Sequence, residues 1–528
     1  MSLFIRAIGV VLVSIVGALF VSAQVAAQGG QGGSVTLPIV DDPVFNQLHP
    51  NAYVESVMVN RVLFNGLVKL GKDFSPAPDL AQNWEASDDG LTWTFELRQD
   101  AAWHDGEPFT ADDVLFTFND VILNPEVGAN NSSTYADVDE VVKVDDYTVE
   151  FQLSRPFASL PMFLGYNTPI LPEHVLSGTD VMQNTEFNRR NPVGTGPFKF
   201  ASYQPGESLR LVRNDDYFMG PPQLDEVVYR IVPDPNVQLA QLQAGELDVL
   251  IVDNPINAPR LEGHPDLRIM TSNQLNYVWA GPNLSREPFD RAELRQALSY
   301  ALDREALVEN IIQGFGQPAV GPISPVLQQY FNPDVKTYPH DPERSRELLL
   351  EAGFEFADDG TAHYGGEPFS FTITYPNVQI FGQLATLVQQ YYADIGIETR
   401  LNGLEFNTFV SEALVPRDFD MLLGWWVTPP DPDIFPYYHS SAAEAGNNPV
   451  MYRSPDADAL LTRGREVADP EARAAIYHEL LEILAEEVPY IYLWYPDEIQ
   501  ALNVRLNGVP EDIGYRPALQ YIYEWYLE

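Results

Sequence analysis

FELRQDAAWHDGEPFTADDVLFTF, residues 95–118, opens on the end of a strand and then turns sharply. The strand begins slightly earlier. LTWTFELR (91–98) alternates apolar and polar residues with period two, the pattern of a half-buried strand. WHDGEP follows. His104 there can be a ligand or a base, but a histidine beside Asp-Gly reads first as a turn residue satisfied by the backbone.

Working outward, TVEFQLS (148–154) repeats the alternation, and ESLRLVRN (207–214) and LDEVVYRIV (224–232) read as further strands. Helices carry caps. Asp290 is placed to cap RAELRQALSYALDREALVENIIQ as one long helix that stops at Gly314, with Leu294, Ala297, Leu298, Ala301 and Leu302 at helical spacing. Asp341-Pro342 opens a helix closed by Gly353, and Asp469-Pro470 opens EARAAIYHELLEILAEE; proline suits the first helical position. GQLATLVQQYYADIG (382–396) reads as a helix running into a strand at IETRLNGL. Strands and helices alternate without a short repeat, which predicts a mixed α/β protein. At 528 residues the chain exceeds one hydrophobic core, so at least two domains are expected. RRNPVGTGPF (189–198) and the stretch near EGHPDLR (262–268) are turn-rich and mark candidate boundaries.

Residues 1–27 read as a signal peptide: Arg6, an apolar run from Ala7 to Ser22, then small residues that suit cleavage after Ala27. Residues 28–34 read as a flexible leader. The apolar run is short for a membrane span. The chain has no cysteine, so neither disulfides nor a lipid-modified N-terminal cysteine is expected; the destination is periplasmic, and the protein is not a lipoprotein. A formal charge of −45 would repel nucleic acid and anionic membranes. The acidity is spread along the chain, which suits solubility in salty or acidic surroundings more than a cationic substrate.

Catalytic signatures are missing. GLVKLGKD (66–73) spaces Gly66, Gly71 and Lys72 like a phosphate loop, but Asp73 stands where a hydroxyl is needed, so it reads as a turn between strands. The eight histidines are scattered without a zinc pattern, and there is no GxSxG elbow. A glycosidase pair of carboxylates need not be close in sequence, so a secreted polysaccharide hydrolase stays open as an alternative.

Several stretches together resemble one family, the solute-binding proteins of peptide-type ABC importers (extracellular family 5, the dipeptide, oligopeptide and nickel-binding type). The 95–118 stretch is similar to its signature of strand, His-Asp-Gly turn and Ala-x-Asp-Val helix start. VGTGPFKF (193–200), RNDDYFMGPPQLDEVVYRIV (213–232), NLSREPFDRAELRQALSYALDRE (283–305) and DPDIFPYYHS (431–440) extend the likeness over nearly all of the chain. The resemblance implies an α/β, two-lobed periplasmic-binding-protein (Venus-flytrap) fold with an extra domain inserted in the first lobe. Lobe I would comprise 35–67, 193–269 and 500–528, the insert 68–192, and lobe II 270–499. Such a protein is expected to be a monomer, to use no cofactor or metal, and to hand a peptide or similar solute from its cleft to an ABC permease of the inner membrane.

In peptide-binding relatives one stretch reads Gly-Trp-x-x-Asp, where the Trp flanks the pocket and the Asp pairs with the peptide's amino terminus. Here Gly424 and Trp425 match, Val427 lies in the same segment, and the Asp position is Thr428. An Arg six residues earlier holds the carboxylate in some relatives; here that position is Leu422. With both charged anchors replaced, burying a free peptide terminus would cost several kcal/mol in a dry site. Neutral ligands such as oligosaccharides therefore come into consideration. Asp431 and Asp433 can replace the missing acid or cap a turn, and the turn is preferred. Trp426 would point away from Trp425 and into the core. Ala52, Tyr53 and Val54 fall near the family's backbone contacts to ligand, or form a buried loop before a helix. Asn131 and Tyr135 lie in the insert, where some relatives bring a tyrosine to the cleft.

Overall fold

The computed structural model describes residues 32–378 and 380–528. The segment read as a signal peptide, the cleavage site expected after Ala27 and residues 28–31 of the expected leader lie outside them. Three main sheets organise the described residues. The first orders Ser34–Ile39, Glu226–Ile231, Ser208–Arg213 and Phe198–Gln204, parallel at the first pairing and antiparallel after it. The second is antiparallel: Ala81–Ala86, Thr92–Leu97, Thr148–Leu153, Val138–Asp145. The third has eight strands. Its path is Val249–Ile251, Ile491–Asn503, Asn276–Pro282, Met421–Val427, Ser370–Pro376, Glu398–Leu404, and Leu267–Asn273 and Gly316–Pro318 also pair with Ile491–Asn503.

The alternation read from sequence is the alternation of burial. Trp93, Phe95 and Leu97 point into the core beside Val149, Phe151 and Leu153. In the opening stretch the turn closes through Trp103 N to Glu107 O at 2.8 Å and Gly106 N to Trp103 O at 2.9 Å. Thr110 then caps helix Ala111–Leu115, and Asp113 answers with a bond from Thr110 N at 3.0 Å. His104 is held by the backbone, as expected. Gly194 N donates to its Nδ1 at 3.1 Å, and its Nε2 donates to Gly196 O at 3.0 Å. Glycine is required there, because a Cβ on Gly194 would lie 1.9 Å from Leu63 O.

Asp341 and Asp469 cap helices Pro342–Glu351 and Pro470–Glu487, and Gly71 turns between two short strands. Helix Phe381–Asp394 leads into strand Glu398–Leu404. One expectation needs correction. The long helix at 291–313 is two helices, Ala292–Tyr300 and Arg304–Ile312, and Asp290 caps neither. Asp303 accepts from Ala306 N at 2.9 Å and starts the second. Arg304 meanwhile donates to Ser299 O in the last turn of the first helix, and Asp341 N donates to Tyr300 O at 2.9 Å, so those carbonyls are satisfied without continuation.

The central strands of the large sheet are covered on both faces. Tyr277, Trp279 and Leu422 belong to one core, and Val278, Ala280, Met421 and Leu423 to another. Strand Ile491–Asn503 runs the length of the sheet. Its first half pairs with Asn276–Pro282, its second with Leu267–Asn273 and Val249–Ile251. Asp248 N donates to Thr36 O at 2.8 Å and Thr36 N to the Asp248 carboxylate at 2.8 Å, tying that end to the first sheet.

Candidate functional site

Strand Met421–Val427 positions the site. Its pairing with Ser370–Pro376 covers only Met421 and Leu422. Beyond those residues the strand pairs only with Asn276–Pro282; Leu423 and Gly424 are still buried, Trp425 and Trp426 are half-buried, and Val427 is exposed. A cavity of about 780 Å³ lies there. One wall comes from Gln47, Ala52 and Val57 with residues of 130–137 and 155–168. The other comes from Val427, Thr428 and Pro429 with Tyr437, Asn447 and Arg465. A second cavity of about 760 Å³ adjoins the strand through Trp425, with Phe381, Phe406 and Val278 on its apolar side and Asp253, Asp497 and Glu498 on another.

Of the residues proposed from sequence, Ala52, Asn131, Tyr135, Val427 and Thr428 meet at the first cavity, and Trp425 at the second. Tyr53 and Val54 line neither. They are exposed at the start of helix Val54–Leu63, so the loop precedes a helix as read but is not buried. Leu422 is corrected: it is fully buried mid-sheet, and a ligand in either cavity does not reach it. The position assigned to a carboxylate anchor is therefore core in this chain.

Thr428 is 4% exposed, and its hydroxyl donates to Leu275 O at 2.5 Å. Its proton is committed to the protein. Tyr135 is wholly buried, its hydroxyl sharing a hydrogen bond with Thr168 Oγ1 at 2.5 Å, so it braces the wall from behind. Burial pushes its phenol well above the ordinary tyrosine range. Asn131 donates to the same hydroxyl at 3.3 Å. Ala52 N is bonded to His49 O at 2.9 Å.

Asp431 and Asp433 cap the turn. Asp433 N donates to Asp431 Oδ1 at 2.9 Å, and Phe435 N to Asp433 Oδ1 at 3.1 Å. Each is also neutralised: Asp431 by Arg473 at 2.7 Å, Asp433 by Arg465 at 2.8 Å. Arg155 at the cavity wall pairs with Asp137 at 2.5 Å. The charges around the first cavity are thus already matched. In the second, burial raises the carboxyls of Asp253 and Asp497, with Arg516 opposing it at Asp253. The two tryptophans divide. Trp425 packs on Phe381 and Phe406, with centroids 5.3 and 6.0 Å away, and Trp426 on Tyr437 and Trp279 at 4.8 and 5.6 Å.

Sequence reading missed Arg155, Arg465 and Tyr437. The first two are exposed-looking arginines in an acidic chain, and only tertiary structure pairs each with an acid on its own wall of the cavity, Arg155 with Asp137 and Arg465 with Asp433. Tyr437 stood in the quoted DPDIFPYYHS segment, where its aromatic neighbours were the available signal.

The chain belongs to the bacterial extracellular solute-binding proteins, family 5, whose middle region matches residues 75–447. It has the two-lobed α/β fold of that family and, like its other members, is a binding protein rather than an enzyme; the hydrolase reading is set aside. It is 32% identical over 511 residues to the oligopeptide-binding protein AppA of Bacillus subtilis, covering 95% of this chain and 93% of that one. The structure of AppA in complex with a nonapeptide matches with a TM-score of 0.73, covering 94% of this chain and 99% of that one. The dipeptide-binding protein of Escherichia coli is 30% identical, covering 85% and 86%. Heme-binding protein A of Haemophilus influenzae is 31% identical, covering 86% and 85%. No helix among the described residues is long and apolar enough to cross a membrane.

Proposed function

We propose that this protein is the extracytoplasmic substrate-binding component of an ABC importer, capturing a peptide between its lobes and delivering it, as a monomer, to an inner-membrane permease. Export through the signal peptide at 1–27, and the division into lobe I (35–67, 193–269, 500–528), insert (68–192) and lobe II (270–499), belong to the same reading. Strands Leu267–Asn273 and Ile491–Asn503 span both lobe boundaries, as hinge-crossing segments would. The observation that carries the reading is the 780 Å³ cavity, walled on one side by residues of lobe I and the insert and on the other by residues of lobe II.

Relatives of similar identity are named for oligopeptides, dipeptides and heme, so identity alone does not choose the ligand. The cleft does more. In the first cavity the arginines and acids are paired, Thr428 is engaged and Leu422 is core, so that cavity holds no unmatched charge for a peptide terminus, whereas the second keeps the carboxyls of Asp253, Asp497 and Glu498 on one side. A peptide recognised along its backbone, its termini blocked or outside the cleft, fits best. A thermal-shift screen of the mature protein tests this, because a ligand at 100 times its Kd stabilises by about 2.7 kcal/mol. Terminally blocked peptides are expected to shift the protein more than free dipeptides, with neutral oligosaccharides as the competing class. A strong, selective shift with an ordinary free dipeptide would refute the argument from positions 422 and 428. Trp425→Ala is expected to weaken the bound ligand at least tenfold, about 1.4 kcal/mol; unchanged affinity by calorimetry would return Trp425 to packing alone.

A further inference from the structure

A third cavity, about 970 Å³, lies beside the first and is lined by Trp84, Trp93, Ser159, Tyr330, Asp431 and Arg473 among others. What separates the two is a thin contact. Phe157 and Pro429 face the first cavity, while Ala158, Ser159, Pro430 and Asp431 face the third. Segment 157–159 therefore rests on segment 429–433, and the two form the wall.

The wall is built from buried polar groups. Ser159, 1% exposed, donates to Asp431 Oδ1 at 2.9 Å and accepts from Arg473 Nη2 at 2.8 Å. Arg473 holds both oxygens of Asp431 at 2.7 Å. Ala158 N donates to Arg465 O at 3.1 Å, and Arg465 in turn pairs with Asp433. Ser159 precedes helix Leu160–Asn167, which packs on the strand at Val68–Leu70. Asp431 follows the large-sheet strand, and Arg473 lies on helix Pro470–Glu487. The contact thus joins two bodies distant in sequence through the Ser159 hydroxyl and the Ala158 backbone N–H.

We propose that Ser159, seated on the Asp431–Arg473 pair, is a tether that holds the inserted body against the large-sheet body and partitions the space between them, so that it limits how far a bound chain extends. The tether stands on the geometry alone; the limit on ligand length rests also on the peptide-binding reading above. A ligand running from the first cavity toward the third must pass the 157–159 wall. Breaking the Ser159 bonds leaves the Asp431–Arg473 pair intact and frees only the bridge.

The chain contains no cysteine, so paired labels can be placed cleanly. Spin labels at V144C and V415C, both exposed positions on the two bodies, report the separation in the ligand-free protein by electron–electron distance measurement. S159A is expected to lengthen and broaden that distribution, and S159T, which keeps the hydroxyl, to restore it. An S159A distribution equal to the parent's overturns the tether. A ladder of terminally blocked peptides from two to ten residues then reads the partition. The parent is expected to lose affinity for the longest, and S159A to regain at least tenfold for those while leaving the shortest unchanged. Identical length profiles in parent and S159A overturn the length limit. If the parent binds no peptide of any length, the peptide reading and the length limit fall together, while the distances still decide the tether.

Discussion

Replacing Arg473 by methionine is expected to cost about 3–5 kcal/mol of stability, the loss typical when one partner of a buried ion pair is removed. Both side chains of the pair are 5% exposed. Burial works against the charge on Arg473, yet the Asp431 carboxylate beside it keeps the guanidinium protonated and raises its proton affinity well above the ordinary arginine value. Two of its nitrogens hold Asp431, and Nε donates to Gly464 O at 2.7 Å. Methionine fills some of the volume but leaves a carboxylate in a dry site with one hydroxyl and one backbone N–H as partners. The loss should appear as a lower urea midpoint with an unchanged slope. Adding Asp431→Leu should recover part of it, because it removes the uncompensated charge, though the turn bond from Asp433 N is then lost. A loss under about 1 kcal/mol, the range of an exposed pair, would contradict this account. S159A, which keeps the pair, should cost far less than R473M.

That pair also marks where sequence reading stops. The local signals were legible. Asp341 and Asp469 ahead of proline start helices, alternation at 91–98 and 148–154 gives strands, and Asp73 excludes a phosphate loop in favour of a turn. The family, and with it the two-lobed fold, was legible from motifs spread over the chain. Partners set by tertiary structure were not. Asp431 read correctly as a turn cap, but nothing near it in sequence announces Arg473, 42 residues on, or Ser159, 272 residues back. Leu422 failed for a different reason. Counting from the Gly-Trp pair places it in the binding segment, but only the pairing with Ser370–Pro376 reveals that residues 421 and 422 lie inside a sheet covered on both faces. The long helix at 291–313 failed because Asp303 and Arg304, both tolerable inside a helix, are a cap and a carbonyl clamp when a second helix can start there.

The second large effect is expected in acid, at the turn of the 95–118 stretch. Burial, with a smaller push from Lys199, lowers the His104 pKa to about 4, against the hydrogen bond to Gly196 O and the Asp105 charge, which favour the proton. The geometry explains why. Nδ1 is the acceptor for Gly194 N–H, so a second proton on the ring would face a donor and leave that backbone N–H without its partner. The folded protein therefore keeps His104 neutral down to about pH 4, whereas the unfolded chain takes up the proton near its ordinary value of about 6.5. Between those values the unfolded state binds more protons, so stability falls as pH falls, by about 1.4 kcal/mol per pH step and about 2 kcal/mol in all by pH 5. Below about pH 4 both states are protonated and the loss levels off. Asp79 works with the opposite sign. Burial raises its carboxyl to about 6, despite Lys69 and Asn65, so the folded state binds the extra proton and gains stability as pH falls through 6. The acid profile of the whole protein mixes the two, and the test is a difference. H104Q offers a carbonyl to Gly194 N–H and an amide to Gly196 O without a titrating ring. Denaturant unfolding at pH 7 and pH 5 should show the parent losing about 2 kcal/mol more than H104Q. Parallel losses in the two proteins would mean that the ring takes its proton in the folded state at its ordinary pKa.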